Sequence, residues 1–408
     1  MLDEHDHRQI GREQDLFHFQ EEAPGMAFWH PRGLALCRVL EQAARDALSA
    51  EDYAEVRAPQ VLRQPIWEAS GHWQHFAEGI FKLEQDEGQP SALRPVNCPG
   101  HAQLYAHALR SHRDLPLRLA EFGVVHRKEP SGALQGLFRL RQFMQDDGHI
   151  FCRPDQLSEE VSRFCRGLRA FYQRFGFAEL GVGLSLRPSA RLGADAEWDV
   201  AEQALRDAAL ALDLGLREQP GEGAFYGPKL EFKLLDRLGR SWQCGTIQLD
   251  FNMPERFDLG YVDCQGQRRR PVMLHRALYG SLERFLGVLI EHHGGRWPAW
   301  LAPEQARVLA VAEASGQYAS ELQRALRAAG LRVGLDRSLE RLGGRVAEAR
   351  RAAVPFLLCV GPREAGERSV SLQRAERDRA EPPAQLGFDA AVAQLAEACA
   401  RPAFAAPA

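Results

Sequence analysis

The sequence predicts an α+β fold: an antiparallel sheet flanked by helices over residues 1–300, then a small α/β domain over 301–408. Three observations carry that expectation. Two long strand-like runs, Leu117 to Val125 and Leu137 to Ile150, flank the turn-forming segment Lys128-Glu129-Pro130-Ser131-Gly132, the pattern of a long antiparallel hairpin. Helical stripes and further strand runs surround that hairpin. After Trp300-Leu301-Ala302-Pro303 the texture changes to short apolar runs separated by helical stretches, which predicts a compact domain on a mainly parallel sheet.

Taken in order, Gly33 to Leu48 carries apolar residues at Leu34, Cys37, Leu40, Ala44 and Leu48, a helical stripe that stops at a polar segment. A strand is expected at Ala54 to Arg57, ended by Pro59. Helical patterns follow at Val161 to Gly176 and Glu197 to Leu212, then strands at Lys229 to Leu235 and Trp242 to Phe251. Val272 to Leu274 reads as a short strand running into a helix from Ala277 to His293. In the last hundred residues the apolar runs are Val308 to Val311, Leu331 to Leu335, Phe356 to Val360 and Val370 to Leu372. The Ala/Pro-rich end after Arg401 reads as a frayed tail.

Composition bounds the function. At 45% hydrophobic and 26% charged residues, the chain has enough apolar side chains to build cores and is not compositionally disordered. It contains no run approaching the roughly 20 apolar residues that a membrane span needs, and Met1 to Arg12 is charged rather than basic-then-apolar, so a cytoplasmic protein is expected. The eight cysteines (Cys37, Cys98, Cys152, Cys165, Cys244, Cys264, Cys359, Cys399) are scattered without a CxxC, as reduced thiols of an intracellular enzyme are. A net charge of −4 leaves nucleic-acid binding to local patches.

Alternation along the second hairpin arm puts Arg139, Arg141, Phe143, Gln145, Asp147 and His149 on one face. Two or three such residues would be a solvated sheet face. A row mixing cations, an aromatic ring, an amide, a carboxylate and an imidazole fits a substrate-binding face better. Arg127 and Glu129 sit where the first arm meets the turn, where arginine could hold a phosphate oxygen and glutamate an amino group. Leu274 to Arg284 places His275 just before a helix that carries Gly280 and Arg284 four apart on one face. Taken alone, that helix reads as a packing glycine and a solvated arginine.

Together these segments resemble the three signature motifs of the class II aminoacyl-tRNA synthetases: the helix and strand ending at Pro59, the Arg127-x-Glu129 hairpin, and the Gly280-Ser281-Leu282-Glu283-Arg284 helix. Within that class the chain is most similar to the threonyl branch. It carries the phrases Asp6-His7-Arg8-x-Ile10-Gly11, Gly71-His72-Trp73, Asn97-Cys98-Pro99-Gly100-His101, Gln145-Asp146-Asp147-x-His149-Ile150-Phe151, Gly221-Glu222-Gly223-Ala224-Phe225-Tyr226-Gly227-Pro228-Lys229 and Trp242-Gln243-Cys244-Gly245-Thr246-x-Gln248-Leu249-Asp250.

The resemblance implies a class II antiparallel catalytic sheet followed by an anticodon-binding-type domain, and activation of L-threonine with ATP and Mg²⁺ before transfer to tRNA(Thr). It implies that Cys98, His149 and His275 hold Zn²⁺. Their separation in sequence has no ligand spacing of its own, and alone they read as a buried thiol and two satisfied histidines. One thiolate, two imidazoles and an open position make a functional zinc site, which threonine can complete with its amino nitrogen and hydroxyl. Valine lacks that hydroxyl, whereas serine lacks only a methyl worth roughly 1–3 kcal/mol. The same resemblance assigns Arg127 to the α-phosphate, Glu129 and the Phe143 ring to adenine, and Arg284 to the other adenine face and the γ-phosphate. Arg139 and Gln243 join the ATP surface; Asp147, Gln145, Tyr226, Lys229, Thr246 and Gln248 line the threonine pocket. His72 is the candidate contact for the terminal ribose, or else packs beside Trp73. If Gln243, Thr246 and Gln248 all face inward, a bulge is required near Gly245.

Full-length bacterial members of the branch carry an amino-terminal region that hydrolyses seryl-tRNA, and this chain begins almost at the catalytic core, so a form without cis editing is expected. In the last domain Asp336-Arg337-Ser338-Leu339-Glu340-Arg341 replaces the family's Arg-Asn-Glu-Lys phrase, and Leu372-Gln373-Arg374-Ala375-Glu376-Arg377 lacks its Arg-x-Arg. Arg337, Arg341 and Arg345 recur every four residues as a possible phosphate-binding stripe, against a near balance of 15 arginines and 13 acidic residues after Leu301. Other readings are a paralogue that loads threonine onto another acceptor, such as a carrier protein, and a non-catalytic synthetase-like regulator. A homodimer through the first motif is expected.

Overall fold

The computed structural model describes residues 5–86, 88–235, 239–338, 340–374 and 382–404. Leu339 and the segment from Ala375 to Arg377, both singled out above, lie outside them. Packing divides the described chain into two compact units, one gathering residues up to His18, Phe28–Val39 and Ile290–Ala403, the other Phe19–Ala27, Leu40–Leu289 and Phe404. Among the described residues no helix is long and apolar enough to cross a membrane.

The larger unit is built on eight strands: β1 Ala54–Glu55, β2 Leu117–His126, β3 Gln142–Cys152, β4 Gly181–Ser185, β5 Leu216–Gln219, β6 Lys229–Leu235, β7 Ser241–Asp250 and β8 Val272–Ala277. Their order is β5-β4-β6-β7-β8-β3-β2-β1, antiparallel except for the outer pairs β5/β4 and β1/β2. The antiparallel sheet expected from the sequence is therefore the observed one. Helix α1, Pro31–Ala50, begins with proline at a position where the missing N–H costs nothing and buries Leu36, Cys37, Leu40, Ala43, Ala44 and Leu48. Helices α2 Cys98–Ala106, α3 Leu157–Gln173, α4 Asp195–Ala211 and α5 Leu282–His293 complete the set that positions the site.

Two expectations fail here for physical reasons. The strand β3 starts at Gln142, not Leu137, because Leu137, Phe138 and Leu140 turn inward and are buried before the pairing begins; Arg139 and Arg141 therefore lie outside the strand face. The strand β8 runs on to Ala277 and pairs with β3 and β7 on both sides, so His275 is mid-strand and the helix starts only at Leu282. Gly280 precedes that helix at φ +76, where a Cβ would lie 2.3 Å from the Cys244 carbonyl oxygen. It serves a close backbone approach and is not on a helix face.

The second sheet has the order β10-β9-β11-β12-β13, with β9 Ala306–Ala310, β10 Val333–Asp336, β11 Phe356–Val360, β12 Ser369–Arg374 and β13 Ala384–Gly387. The pairs β9/β10 and β9/β11 are parallel, whereas β11/β12 and β12/β13 are antiparallel. The parallel half matches the expected α/β alternation, but the sheet is not mainly parallel: the expected run Val370 to Leu372 pairs antiparallel as β12, and β13, too short and polar to stand out in sequence, extends that antiparallel edge. Its core packs Val308, Leu322, Leu326, Phe356, Leu358, Val370 and Leu395. The chain end is not frayed through its described part, since Phe404 is buried against Phe171 and Phe175 at ring distances of 5.3 and 5.6 Å.

Candidate active site

Strand register assembles the site. Residues directly opposite in adjacent strands share a face, and the pairings Leu119↔His149, His149↔His275, His275↔Gln248 and Gln248↔Lys229 form one row across the sheet. The next row is Glu121, Asp147, Ala277, Thr246 and Glu231. Phe143, Gln145, Asp147 and His149 do share a face along β3, as alternation predicts. Between Glu231 and Lys233 the partner residues on β7 jump from Thr246 to Gln243. The extra residue is the bulge required at Cys244-Gly245, and it lets Gln243 face the same way as Thr246 and Gln248.

Cys98 enters this face from the first turn of α2. Its thiol and one ring nitrogen each of His149 and His275 lie within 4.8 Å of one another, and all three side chains are buried. His149 Nε2 is 3.0 Å from His275 Nδ1. The outer ring nitrogens are held as well: His275 Nε2 is 2.9 Å from Asp250 Oδ2, and His149 Nδ1 is 2.7 Å from His101 Nδ1. Burial, reinforced by Asp147 and Asp250, pushes the Cys98 thiol well above its ordinary range. Burial, with His101 and His275 close by, pushes the His149 imidazole well below its own. Two buried imidazoles, one backed by a carboxylate and the other by a third imidazole, beside a thiol that only a nearby cation would ionise are the donor chemistry of a zinc site.

A second group, Asp6, His7 and Glu291, also converges and is buried. There Asp6 is already occupied, capping its helix at Arg8 N and pairing with the Arg8 guanidinium at 2.7 Å, while His7 Nδ1 bonds Glu291 at 2.8 Å. That group reads as structural.

Two half-buried arginines flank the row. Arg127 Nε donates to Pro95 O at 3.2 Å, and its guanidinium lies 5.1 Å over the Phe143 ring. Arg284, in the first turn of α5, donates to Phe138 O at 3.0 Å and to Gln243 O at 3.1 Å. Among the described residues neither forms an ion pair with a carboxylate. Burial holds both guanidinium groups below their ordinary range, and such cations gain most from an anionic ligand. Glu129 accepts from exposed Arg139 at 3.1 Å. Asp147 accepts from Asn97 at 3.0 Å, Gln248 donates to Gly227 O at 2.9 Å, and Lys229 pairs with Glu231 at 2.5 Å.

The Tyr226 ring lies 5.3 Å from that of His275 and 6.4 Å from that of His72. His72 does not pack on Trp73, whose ring instead lies under Lys82 at 4.4 Å. It stands edge-on to Trp67 and Phe225, bonds Ser70 Oγ at 2.9 Å, and is pushed down to about 3 by burial and then by His275. His72 is therefore a neutral imidazole joined to the site through Tyr226.

Sequence reasoning missed the buried acids behind the face. Asp146, pointing opposite to Asp147, accepts from the backbone N–H groups of Leu278, Tyr279 and Gly280 at 2.6, 2.9 and 3.1 Å. Capturing those three donors is what delays the start of α5 and sets where Arg284 emerges. Glu283 accepts from Met144 N at 3.0 Å and from Ser281 Oγ at 3.0 Å, tying α5 to β3. Strict alternation could have flagged Asp146 as a carboxylate on the buried face.

In the second unit the arginine stripe does not exist. Helix α6 spans Leu342–Arg351, so Arg337 and Arg341 precede it and are exposed, while Arg345 is 2% exposed and bonds Asp336 and Ala310 O at 2.8 Å each.

Residues 81–293 match the family model of the tRNA synthetase class II core domain (G, H, P, S and T), and residues 305–397 match an anticodon binding domain. Threonine–tRNA ligases of Polynucleobacter asymbioticus and Burkholderia mallei are 52% and 51% identical over 368 residues, 90% of this chain. The chain spans 57% and 58% of the length of those relatives. A crystal structure described as the RNA binding domain of threonyl-tRNA synthetase from Cryptosporidium parvum superposes with a TM-score of 0.90 at 39% identity, covering 98% of this chain and 99% of that one. A putative threonyl-tRNA synthetase from Aeropyrum pernix gives 0.83 at 28% identity, covering 98% of each chain.

Proposed function

We propose, for a chain that belongs to the threonyl-tRNA synthetase family of the class II tRNA synthetases, activation of L-threonine with ATP to threonyl-adenylate and transfer of the threonyl group to tRNA(Thr). The observation that carries this reading is the convergence of Cys98, His149 and His275 on a sheet face flanked by two arginines that, among the described residues, have no carboxylate partner. A single Zn²⁺ held by those three residues would supply a Lewis acid for the amino and hydroxyl groups of threonine.

The chain's own residues do the rest. Arg127 binds the α-phosphate and Arg284 the γ-phosphate, neutralising charge that accumulates as the threonine carboxylate attacks the α-phosphorus in line and pyrophosphate leaves, with Mg²⁺ on the triphosphate. Phe143, Glu129, Arg139 and Gln243 form the adenine and ribose surface. Tyr226, Thr246, Gln248, Gln145, Asp147 and Lys229 orient the amino acid, and His72, whose buried imidazole disfavours the charged form, contacts the terminal ribose of tRNA. Residues 1–300 carry activation and 301–408 receive the anticodon arm, chiefly through groups other than Arg345. The protein acts as a cytoplasmic homodimer.

Threonine-dependent exchange of pyrophosphate into ATP, followed by charging of purified tRNA(Thr), tests the reading. Both are expected. Absence of exchange would overturn activation, and exchange without charging would assign the threonyl group to another acceptor.

A further inference from the structure

Behind His149 lies a buried chain of polar contacts that none of the site residues above explains. His149 Nδ1 faces His101 Nδ1 at 2.7 Å, and His101 Nε2 faces Glu121 Oε2 at 3.1 Å. Glu121 Oε2 also accepts from the Ala58 N–H at 3.2 Å. Arg94 Nη2 stands 2.8 Å from Glu121 Oε1, an ion pair whose angle leaves that oxygen without a well-formed hydrogen bond. Arg94 is itself fixed by Val124 O and Ala58 O at 2.9 and 3.0 Å. His101, Glu121 and Arg94 are 0, 2 and 2% exposed, so bulk solvent does not reach them.

Two ring nitrogens 2.7 Å apart need one proton between them, and the rest of the chain decides which carries it. Glu121, paired with Arg94, is an acceptor, so His101 must present N–H at Nε2. With its single ring proton placed there, His101 offers a lone pair at Nδ1 and takes the proton of His149 Nδ1–H. His149 is left with a lone pair at Nε2, the nitrogen that faces His275 Nδ1. The opposite assignment protonates His149 at Nε2, removes it as a ligand, and turns a His101 lone pair toward the Glu121 carboxylate. His275 needs no such intermediary, because Asp250 takes its Nε2–H directly at 2.9 Å, and Asp250 is held by the N–H groups of Asn252 and Met253 at 2.7 and 2.8 Å.

From this geometry we infer that His101 and Glu121 are positioning residues which lock His149 in the one tautomer able to bind a metal, a carboxylate acting through an intervening imidazole. The inference rests on the metal reading above. Outer partners of ligating histidines typically alter metal affinity by about 10–100-fold, and the effect here is transmitted by two successive N–H bonds.

The test is a competition titration of full-length apoprotein with Zn²⁺ against a chromophoric chelator, alongside Co²⁺ spectra and nitrogen-15 shifts of the histidine rings. Wild type is expected to bind one ion with a thiolate-to-cobalt band that Cys98→Ala abolishes; failure of wild type to bind would sink the metal reading itself. His101→Leu, which removes the acceptor, is expected to bind about 10–100-fold more weakly. His101→Asn, whose side-chain oxygen replaces Nδ1, is expected to recover most of that loss, and Glu121→Gln to give an intermediate value with His149 split between tautomers. Wild-type affinity in His101→Leu would overturn the inference. Should that variant fail to fold by circular dichroism, Glu121→Gln decides, and unchanged affinity with an unchanged His149 ring signal overturns it.

Discussion

Beside the eight-stranded sheet, Arg127 and Arg284 are half-buried and, among the described residues, meet backbone carbonyls and a ring but no carboxylate, while beside the five-stranded sheet Arg345 is fully buried and meets a carboxylate. All three are arginines that composition cannot tell apart. Desolvating a guanidinium costs several kcal/mol unless an anion compensates. Where the fold supplies the anion, as Asp336 does, the residue is structural; where it does not, the anion is to come from a ligand. The difference supports the proposed role of Arg127 and Arg284 at substrate, and the burial of Arg345 removes it from a surface that could hold RNA phosphates.

The comparison is broken most directly by removing the paired arginine. Arg345→Ala leaves Asp336 without its cation and should cost about 3–5 kcal/mol, seen by calorimetry as an earlier first transition, with threonine-dependent exchange unchanged. Loss of exchange in a still-folded variant would place Arg345 in function after all. Arg127→Ala and Arg284→Ala should do the reverse, lowering kcat/KM for exchange about 10²–10³-fold while the melting temperature holds or rises, since an uncompensated buried charge is gone. A melting temperature that falls with activity intact would make them structural.

Asp146 sharpens the contrast between holding substrate and holding the holder. It touches no ligand, yet three backbone N–H groups converge on it. In Asp146→Asn one oxygen becomes an NH₂ facing those donors, which should cost about 1–3 kcal/mol and raise the KM for ATP more than that for threonine, because Arg284 follows the displaced turn. Equal effects on both substrates would argue for general loosening.

How much of this was legible beforehand depends on distance along the chain. The helix Pro31–Ala50 and the strands Lys229–Leu235 and Phe356–Val360 announce themselves by local period, and the bulge at Cys244-Gly245 followed from asking three side chains to share a face. Cys98, His149 and His275 have no local signature, because strand register and the first turn of a helix bring them together; only the resemblance marked them. Leu278 and Tyr279 look helical beside Leu282 and Phe285, but the doubly paired strand runs to Ala277 and Asp146 captures the N–H groups of the next three residues, so the helix starts only at Leu282. Arg345 was misplaced by its four-residue spacing from Arg341, a period that means a shared face only inside a helix. Nothing in the sequence shows that His101 meets His149 nitrogen to nitrogen.

The smallest expected effect tests whether the buried acids of the first sheet differ from the paired carboxylates of the second. Burial pushes Glu283 up to about 7, whereas Asp336, held by Arg345 and Ser338, lies below its ordinary value. For Glu283 the folded state binds its proton more tightly than the unfolded state does. Its contribution is therefore fully present below about pH 4.5 and is lost as pH rises toward 7, by at most about 1.4 kcal/mol per pH unit. For Asp336 the sign is opposite: its contribution is present above pH 3.8 and fails in more acid solution. Glu283→Gln keeps an acceptor for the Met144 N–H and removes the titration, so the melting temperature of the first unit should lose part of its decline between pH 5 and 7. An unchanged slope would mean that Glu283 ionises freely in the folded protein and that its carboxylate is no more buried, in the electrostatic sense, than Asp336.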